Sequence, residues 1–253
     1  MKYIQSSKNP QVKQWKKLLT KKERDKTNTF IVEGFHLVEE ALKQNKVVLE
    51  LIVSDGVDIP QKWNVDSISI TIVAEEVSKV LSDTESTQGI FAVCSQVEKS
   101  MEISGAKTFL LLDGVQDPGN IGTMIRTADA AGIDMVVLGA GSGDPYNPKV
   151  LRSAQGSHFH LPIVRSDLQQ TIELLKSKEI PIYGTALENG VEYTNVEPSS
   201  TFAVIVGNEG NGVSNEVLSE TNQNLYIPIY GKSESLNVAV AAGILLYYLK
   251  IGQ

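Results

Sequence analysis

In the second half of this chain, near-continuous apolar runs alternate with helical segments, and that pattern restricts the fold more than any other feature. Strands are expected at TFLLLDGV (108–115), DMVVLG (134–139), PIYGTAL (181–187), TFAVIVGN (201–208) and NLYIPIY (224–230). Helices are expected at 121–132, 148–156, 166–178, 213–220 and 235–250. A strand that is apolar on both faces must be covered on both faces, so the alternation calls for an α/β fold with a mostly parallel sheet. In such sheets ligands bind outside the carboxyl ends of the strands. The loops that follow the strands are therefore where function should be sought.

The first half reads as a smaller α/β unit. A basic helix is expected over 8–24, with Val12, Trp15, Leu18 and Leu19 on one face, followed by strands at 29–34, 48–54 and 90–97 and helices at 36–45 and 74–82. The polar, glycine-ended stretch EKSMEISGA (98–106) reads as a linker, which gives domains at 1–97 and 107–253. A length of 253 residues with 42% apolar composition accommodates two such cores. The single cysteine, Cys94, excludes an internal disulfide and a cysteine zinc cage. His36, His158 and His160 show no metal-ligand spacing, so no metal is expected. The N-terminus lacks the apolar stretch of a signal peptide, and the longest apolar segment, 238–249, is too short to span a bilayer. A cytoplasmic protein without a membrane partner is the expectation.

Charge is distributed unevenly. Residues 1–26 carry nine basic and two acidic side chains, a net of +7, which leaves −14 for the remainder of a chain whose total is −7. Such asymmetry fits a basic docking surface on an acidic body, with Lys8, Lys13, Lys16, Lys17 and Arg24 as candidate RNA or DNA contacts. A solvated lysine-rich helix face would give the same composition.

Three loops at strand ends stand out. In DGVQDPGNIGTMIRTADAAG (113–132), Asp117-Pro118-Gly119-Asn120 is a turn signal. Asn120 is a candidate cap for the following helix, with Arg126 six residues further on. A helix start there suits an anionic group, although a capped βα loop with a surface arginine would look similar. GNEGNG (207–212) lets a ligand approach its backbone, yet it is neither a P-loop nor a dinucleotide fingerprint. Glu209 would repel a phosphate there, so a neutral or cationic ligand is expected; the bland alternative is a turn capping a helix at Ser214. In IPIYGKSESLNVAVAAGILLYYL (227–249), Ser235 is a candidate cap, and Asn237 is a polar group in need of a partner at the start of a very apolar helix. Apolarity all round that helix points to burial against a second subunit. A fourth glycine-rich stretch, GAGSGDP (139–145), does not open a helix directly and is set aside as a phosphate cradle.

Taken in order, DGVQDPGNIGTMIRTADAAG, IVGNEGNGVS and IPIYGKSESLNVAVA resemble the three signature motifs of the SpoU (TrmH-like) family, the RNA 2′-O-ribose methyltransferases of the SPOUT superfamily. DPYNPKVLRSAQGSHFHLP (144–162) resembles the family's segment between motifs. The front stretch from IQSSKNPQVKQWKK to FIVEG resembles the substrate-binding domain that these enzymes often carry, itself like an RNA-binding ribosomal protein.

The resemblance implies S-adenosylmethionine as cofactor, a deep trefoil knot in the C-terminal domain, and a homodimer with the site at its interface. Knots are rare among folds, and periodicity alone does not reveal one. By the same matching, Thr185, Gly207, Ile227 and Leu236 would contact the cofactor. Asn120, Arg126, Glu209, Ser235 and Asn237 would serve catalysis. Neutralising an arginine at pH 7 costs roughly 8 kcal/mol. The reading favoured here therefore has a cationic Arg126 that binds the neighbouring phosphate and stabilises the developing alkoxide. The front domain resembles the ribosomal RNA branch, so ribosomal RNA is the expected substrate. The alternatives are a transfer RNA substrate, a knotted enzyme acting on a base, a silent RNA-binding relic and a Rossmann-type enzyme.

Overall fold

The computed structural model describes residues 2–96 and 103–250. In chain order the elements are β1 (Lys2–Ile4), α1 (Pro10–Lys17), α2 (Lys21–Thr27), β2 (Thr29–Glu33), α3 (Phe35–Leu42), β3 (Val48–Ser54), β4 (Ser69–Val73), α4 (Glu75–Leu81) and β5 (Ile90–Ser95). They continue as β6 (Thr108–Asp113), α5 (Pro118–Ala130), β7 (Met135–Leu138), α6 (Pro148–Ala154), β8 (Ile163–Arg165), α7 (Leu168–Ser177), β9 (Ile182–Thr185), β10 (Val191–Glu192), β11 (Phe202–Gly207), α8 (Asn215–Leu218), β12 (Gln223–Tyr226) and α9 (Val238–Lys250). These make two compact units, Met1–Glu98 with Tyr146–Phe159 and Lys99–Pro145 with His160–Gln253. Of the expected linker at 98–106, residues 98–102 lie outside the described residues, as does residue 97 of the strand expected before it.

The first unit is a five-stranded sheet in the order β1-β4-β3-β5-β2. β1, β4 and β3 run parallel, and β5 is antiparallel to both β3 and β2. Alternation along the strands divides the core in two, because successive side chains leave opposite faces. Ile31, Ile52, Phe91 and Val93 join Val12 and Trp15 of α1 and Val77 and Leu81 of α4. Phe30, Val32, Leu51, Val53 and Ala92 join Leu37, Val38 and Ala41 of α3 and Leu151 of α6. The sequence pattern placed α6 among the helices of the second half, but its segment belongs to this unit. Tyr146 packs on Phe30 in a tilted ring pair with centroids 4.7 Å apart, and Arg152 pairs with Asp83 at 2.9 Å.

The basic helix expected over 8–24 is broken into α1 and α2. Thr20 takes an extended conformation, and its Oγ1 donates to the Lys17 carbonyl. Its apolar face forms as expected, with Val12, Trp15 and Leu18 buried.

The second unit is a seven-stranded sheet in the order β10-β12-β9-β11-β6-β7-β8, and every recorded pairing in it is parallel. Phe109, Leu111, Val137, Ala203 and Ile205 face α7 and α8 through Leu168, Ile172, Leu175 and Val217. Their alternates Leu110, Leu112, Val136, Val204 and Val206 are also buried, as are Met124 and Ile125 of α5 and Ala242, Leu245 and Leu246 of α9. A sheet covered on both faces was the expectation for such runs. All strands point one way, so their carboxyl ends share one edge.

Candidate active site

Register brings the first two loops together. Gly207, the last residue of β11, sits opposite Asp113, the last residue of β6. The chain leaves both strands side by side. Asp113 Oδ2 then accepts from the Ser214 amide at 2.8 Å, and Asn208 Nδ2 donates to the Gly114 carbonyl at 2.9 Å.

Gly207 is glycine for a reason within the chain itself. A Cβ there would lie 2.0 Å from the Gly212 carbonyl carbon and 2.1 Å from the Val213 nitrogen. The loop folds back on its own start, with Asn208 and Gly212 exchanging two main-chain hydrogen bonds at 3.0 and 2.9 Å. Gly212 closes this turn at φ 70°, in the left-handed region that favours glycine. Asn208 Oδ1 holds the tip by accepting from the amides of Gly210 and Asn211.

Glu209 has a structural partner set. Its carboxylate accepts from the amides of Gln116 (3.2 Å) and Asp117 (3.1 Å) and from Asn120 Nδ2 (3.1 Å). Partial burial pushes the carboxyl pKa up and is the largest single influence. The Asn120 side chain and the main-chain donors together outweigh it and hold the group below its ordinary value. Asn120 passes the contact on: its Oδ1 accepts from Asn237 Nδ2 at 2.9 Å. One hydrogen-bonded chain, Glu209–Asn120–Asn237, thus ties all three loops together.

Two cap assignments are corrected. The cap of α5 is Asp117, whose Oδ1 accepts from the Asn120 amide at 2.8 Å, with Pro118 in the first helical position. Asn120 therefore lies inside the first turn, which frees its side chain for Glu209. The cap of α9 is Asn237, not Ser235. Asn237 Oδ1 accepts from the amides of Ala239 (3.0 Å) and Val240 (3.4 Å). Asn237 is exposed, where a buried amide was expected, and its partner is Asn120.

Beside this chain opens a cavity of about 850 Å³. Thr185, Gly207, Glu209, Ile227, Ser235, Leu236 and Asn237 line it, so the sequence-derived cofactor positions and three of the catalytic candidates share one space. Leu187, Ile229 and Leu245 add apolar wall. Thr185 spends its hydroxyl on the Ile205 carbonyl at 3.1 Å. Arg126 stands apart from the wall, exposed on α5 two turns beyond the cap.

The basic helices give a mixed result. Lys8, Lys13, Lys16 and Lys17 are exposed. Arg24 is not a surface contact. It is only 2% exposed, and its Nη1 donates to the Leu18 carbonyl at 2.7 Å, closing the end of α1. Sequence reasoning also passed over Asp113 and Asn208, which knit the loops. The available signal was an acidic residue ending an apolar strand and an asparagine between glycine turns.

A parallel sheet whose strand-end loops meet in a Glu–Asn–Asn chain over a cavity of this size is an α/β domain with a small-molecule site at its strand ends, and comparison with known proteins places it among the SpoU methylases. A model of the SpoU rRNA methylase family matches residues 107–247, and a model of the MRM3-like substrate binding domain matches residues 9–92. The chain belongs to the SpoU rRNA methylase family. It is 54% identical over 250 residues to the 23S rRNA (guanosine(2553)-2′-O)-methyltransferase RlmP of Bacillus subtilis, covering 99% of this chain and 100% of the relative. The AdoMet-bound rRNA methyltransferase from Sinorhizobium meliloti superposes with a TM-score of 0.88 at 30% identity, over 98% of this chain and 97% of that one. AviRb from Streptomyces viridochromogenes, a SpoU methyltransferase in complex with AdoMet, gives a TM-score of 0.86 at 25% identity over 96% and 97%.

Proposed function

We propose that this chain transfers a methyl group from S-adenosylmethionine to the 2′-hydroxyl of a guanosine ribose in 23S ribosomal RNA, the reaction for which its Bacillus subtilis relative is named. The observation that carries the reading is the Glu209–Asn120–Asn237 chain at the edge of the cavity. In this reading its side-chain oxygens and amides orient the ribose, beside a space of cofactor size.

The cavity suits the cofactor. Its volume falls within the range of roughly 300–1,000 Å³ common for small-molecule sites. Leu187, Ile227, Ile229 and Leu236 offer apolar surface for an adenine ring, and an anionic Glu209 suits a sulfonium cation. When bound, the cofactor supplies an electrophilic methyl group on positively charged sulfur. The chain's own part is orientation and charge. Asn120, Ser235 and Asn237 position the ribose. Glu209 fixes Asn120 and the first loop. Arg126, as a cation, holds the neighbouring phosphate and stabilises the alkoxide that forms as the hydroxyl proton passes to water. Thr185, Gly207, Ile227 and Leu236 form the cofactor wall. Lys8, Lys13, Lys16 and Lys17 attract the RNA backbone.

The protein acts as a homodimer in this reading. Arg126 is exposed on α5, Val240 and Tyr247 are each 51% exposed on α9, and the two helices pack together. A second copy on this face would cover the apolar side chains and receive Arg126 at its own cavity. The trefoil knot belongs to the same proposal. The Asn237–Asn120 bond and the bond from the Ser199 amide to the Leu249 carbonyl are contacts it would lock. In this reading the unit Met1–Glu98 with Tyr146–Phe159 binds RNA and the unit Lys99–Pro145 with His160–Gln253 carries the chemistry, and a cytoplasmic location follows from the substrate.

The test is to map 2′-O-methylation in 23S rRNA from cells with and without the gene. One guanosine should lose its methyl group on deletion and regain it on complementation. An unchanged 23S map would contradict the reading.

A further inference from the structure

Resting on that reading, we infer that Tyr230 is the platform on which the base of the target nucleotide stacks while its ribose is methylated. The loop 227–237 joins β12 to α9 and supplies Ile227, Ile229 and Ser235 to the cavity wall. Tyr230 rises from the middle of this loop, next to Ile229, and is 93% exposed. Among the described residues its phenol makes no hydrogen bond, and the ring stands almost wholly open.

Extruding a nucleotide from its stack brings its ribose to a cofactor recessed in the cavity, the route that enzymes acting on bases use. The base then loses its neighbours, and an aromatic face next to the site replaces them. Few side chains of this unit qualify. Phe109 and Phe202 are fully buried, Tyr183 is half-buried within β9, and Tyr226 is part of the cavity wall itself. Tyr193 and Tyr248 pack edge to face on one another, 4.9 Å apart. Tyr247 is exposed but lies ten residues along α9 from Asn237, about 15 Å of helix away. Among the described residues of this unit, Tyr230 is the one that combines an open ring face with a place in the loop that supplies Ser235 to the cavity. The exposed Lys232, two residues on, offers a charge to the adjoining phosphate.

The experiment uses the full-length protein with Tyr230→Ala and Tyr230→Phe, and a 23S rRNA fragment, unmodified or carrying 2-aminopurine at the target guanosine. Tyr230→Ala should lower single-turnover kcat/KM by about 5- to 150-fold, the span that corresponds to losing one base–aromatic stack. It should also remove the fluorescence change of 2-aminopurine on binding. Tyr230→Phe should retain both, and S-adenosylmethionine affinity and molecular mass in solution should stay as in the wild type. Wild-type rates in Tyr230→Ala, an equal loss in Tyr230→Phe, or a change of oligomeric state would each overturn the assignment. The last would place Tyr230 at a subunit contact. Absence of methyl transfer by the wild-type enzyme would instead overturn the reading on which this one rests.

Discussion

At the scale of single residues, Glu209 is the hinge of the account. A carboxylate among glycines looks like a ligand contact. Its three donors show that it also fastens the second loop to the first. Its pKa is depressed, so its contribution is complete above the ordinary glutamate range and is lost only as pH falls through the lowered value. S-adenosylmethionine binding should therefore persist through the ordinary glutamate range and fail below it. Glu209→Gln should weaken binding at neutral pH by roughly tenfold, the scale of one charged hydrogen bond, and show no step in that acid window. Calorimetric titration across pH checks both. A wild-type curve that breaks within the ordinary range would contradict the assignment.

Elements carry two further expectations. Gly207→Ala forces a methyl group against the Gly212–Val213 backbone, which has no flexible end to move aside. Thermal unfolding should show a loss of at least about 1–3 kcal/mol. A variant with the wild-type melting temperature would mean that the turn relaxes freely. For α1, deleting residues 1–26 is a poor test of RNA binding, because it removes Val12 and Trp15 from the core and β1 from the sheet. Replacing Lys13, Lys16 and Lys17 with alanine leaves that packing intact. If all three meet phosphates, the slope of log affinity against log salt should shrink by about 2–3. An unchanged slope would remove α1 from the RNA face.

The legibility of the chain also varied by element. Long apolar strands such as β6 and β11 were plain in the sequence because burial on both faces leaves a continuous run. β1, β8 and β10 were not read because they have only two or three residues and include charged ones, and β4 was missed although it is as long as β2. The break between α1 and α2 depends on one threonine's backbone, which periodicity does not register. The motif residues of the cavity wall were legible through family resemblance. Their mutual bonds were not, since Asn120 and Asn237 lie 117 positions apart and meet only through the sheet register and the packing of α5 and α9. The burial of Arg24 was equally hidden, because a lysine-rich context suggests a surface for every cation within it.

For the whole molecule, the proposed dimer raises the question of which copy's arginine serves which cavity. Arg126 is exposed and lies off the cavity wall, as expected if it acts across a two-fold interface. Arg126→Ala and Asn237→Ala should each be inactive alone. Mixed and reassociated, they should recover roughly a quarter of wild-type activity, since random pairing leaves one intact composite site in half of the dimers. No recovery from verified mixed dimers would place Arg126 at its own subunit's site.

The most direct test of the central claim is methyl transfer from radiolabelled S-adenosylmethionine by the purified protein. The acceptor is total RNA from cells lacking the gene, digested afterwards to nucleosides. The expected result is label in 2′-O-methylguanosine, recovered from 23S rRNA and absent with Arg126→Ala. Label on a base or in transfer RNA, or a protein that neither transfers methyl nor binds S-adenosylmethionine, would contradict the account.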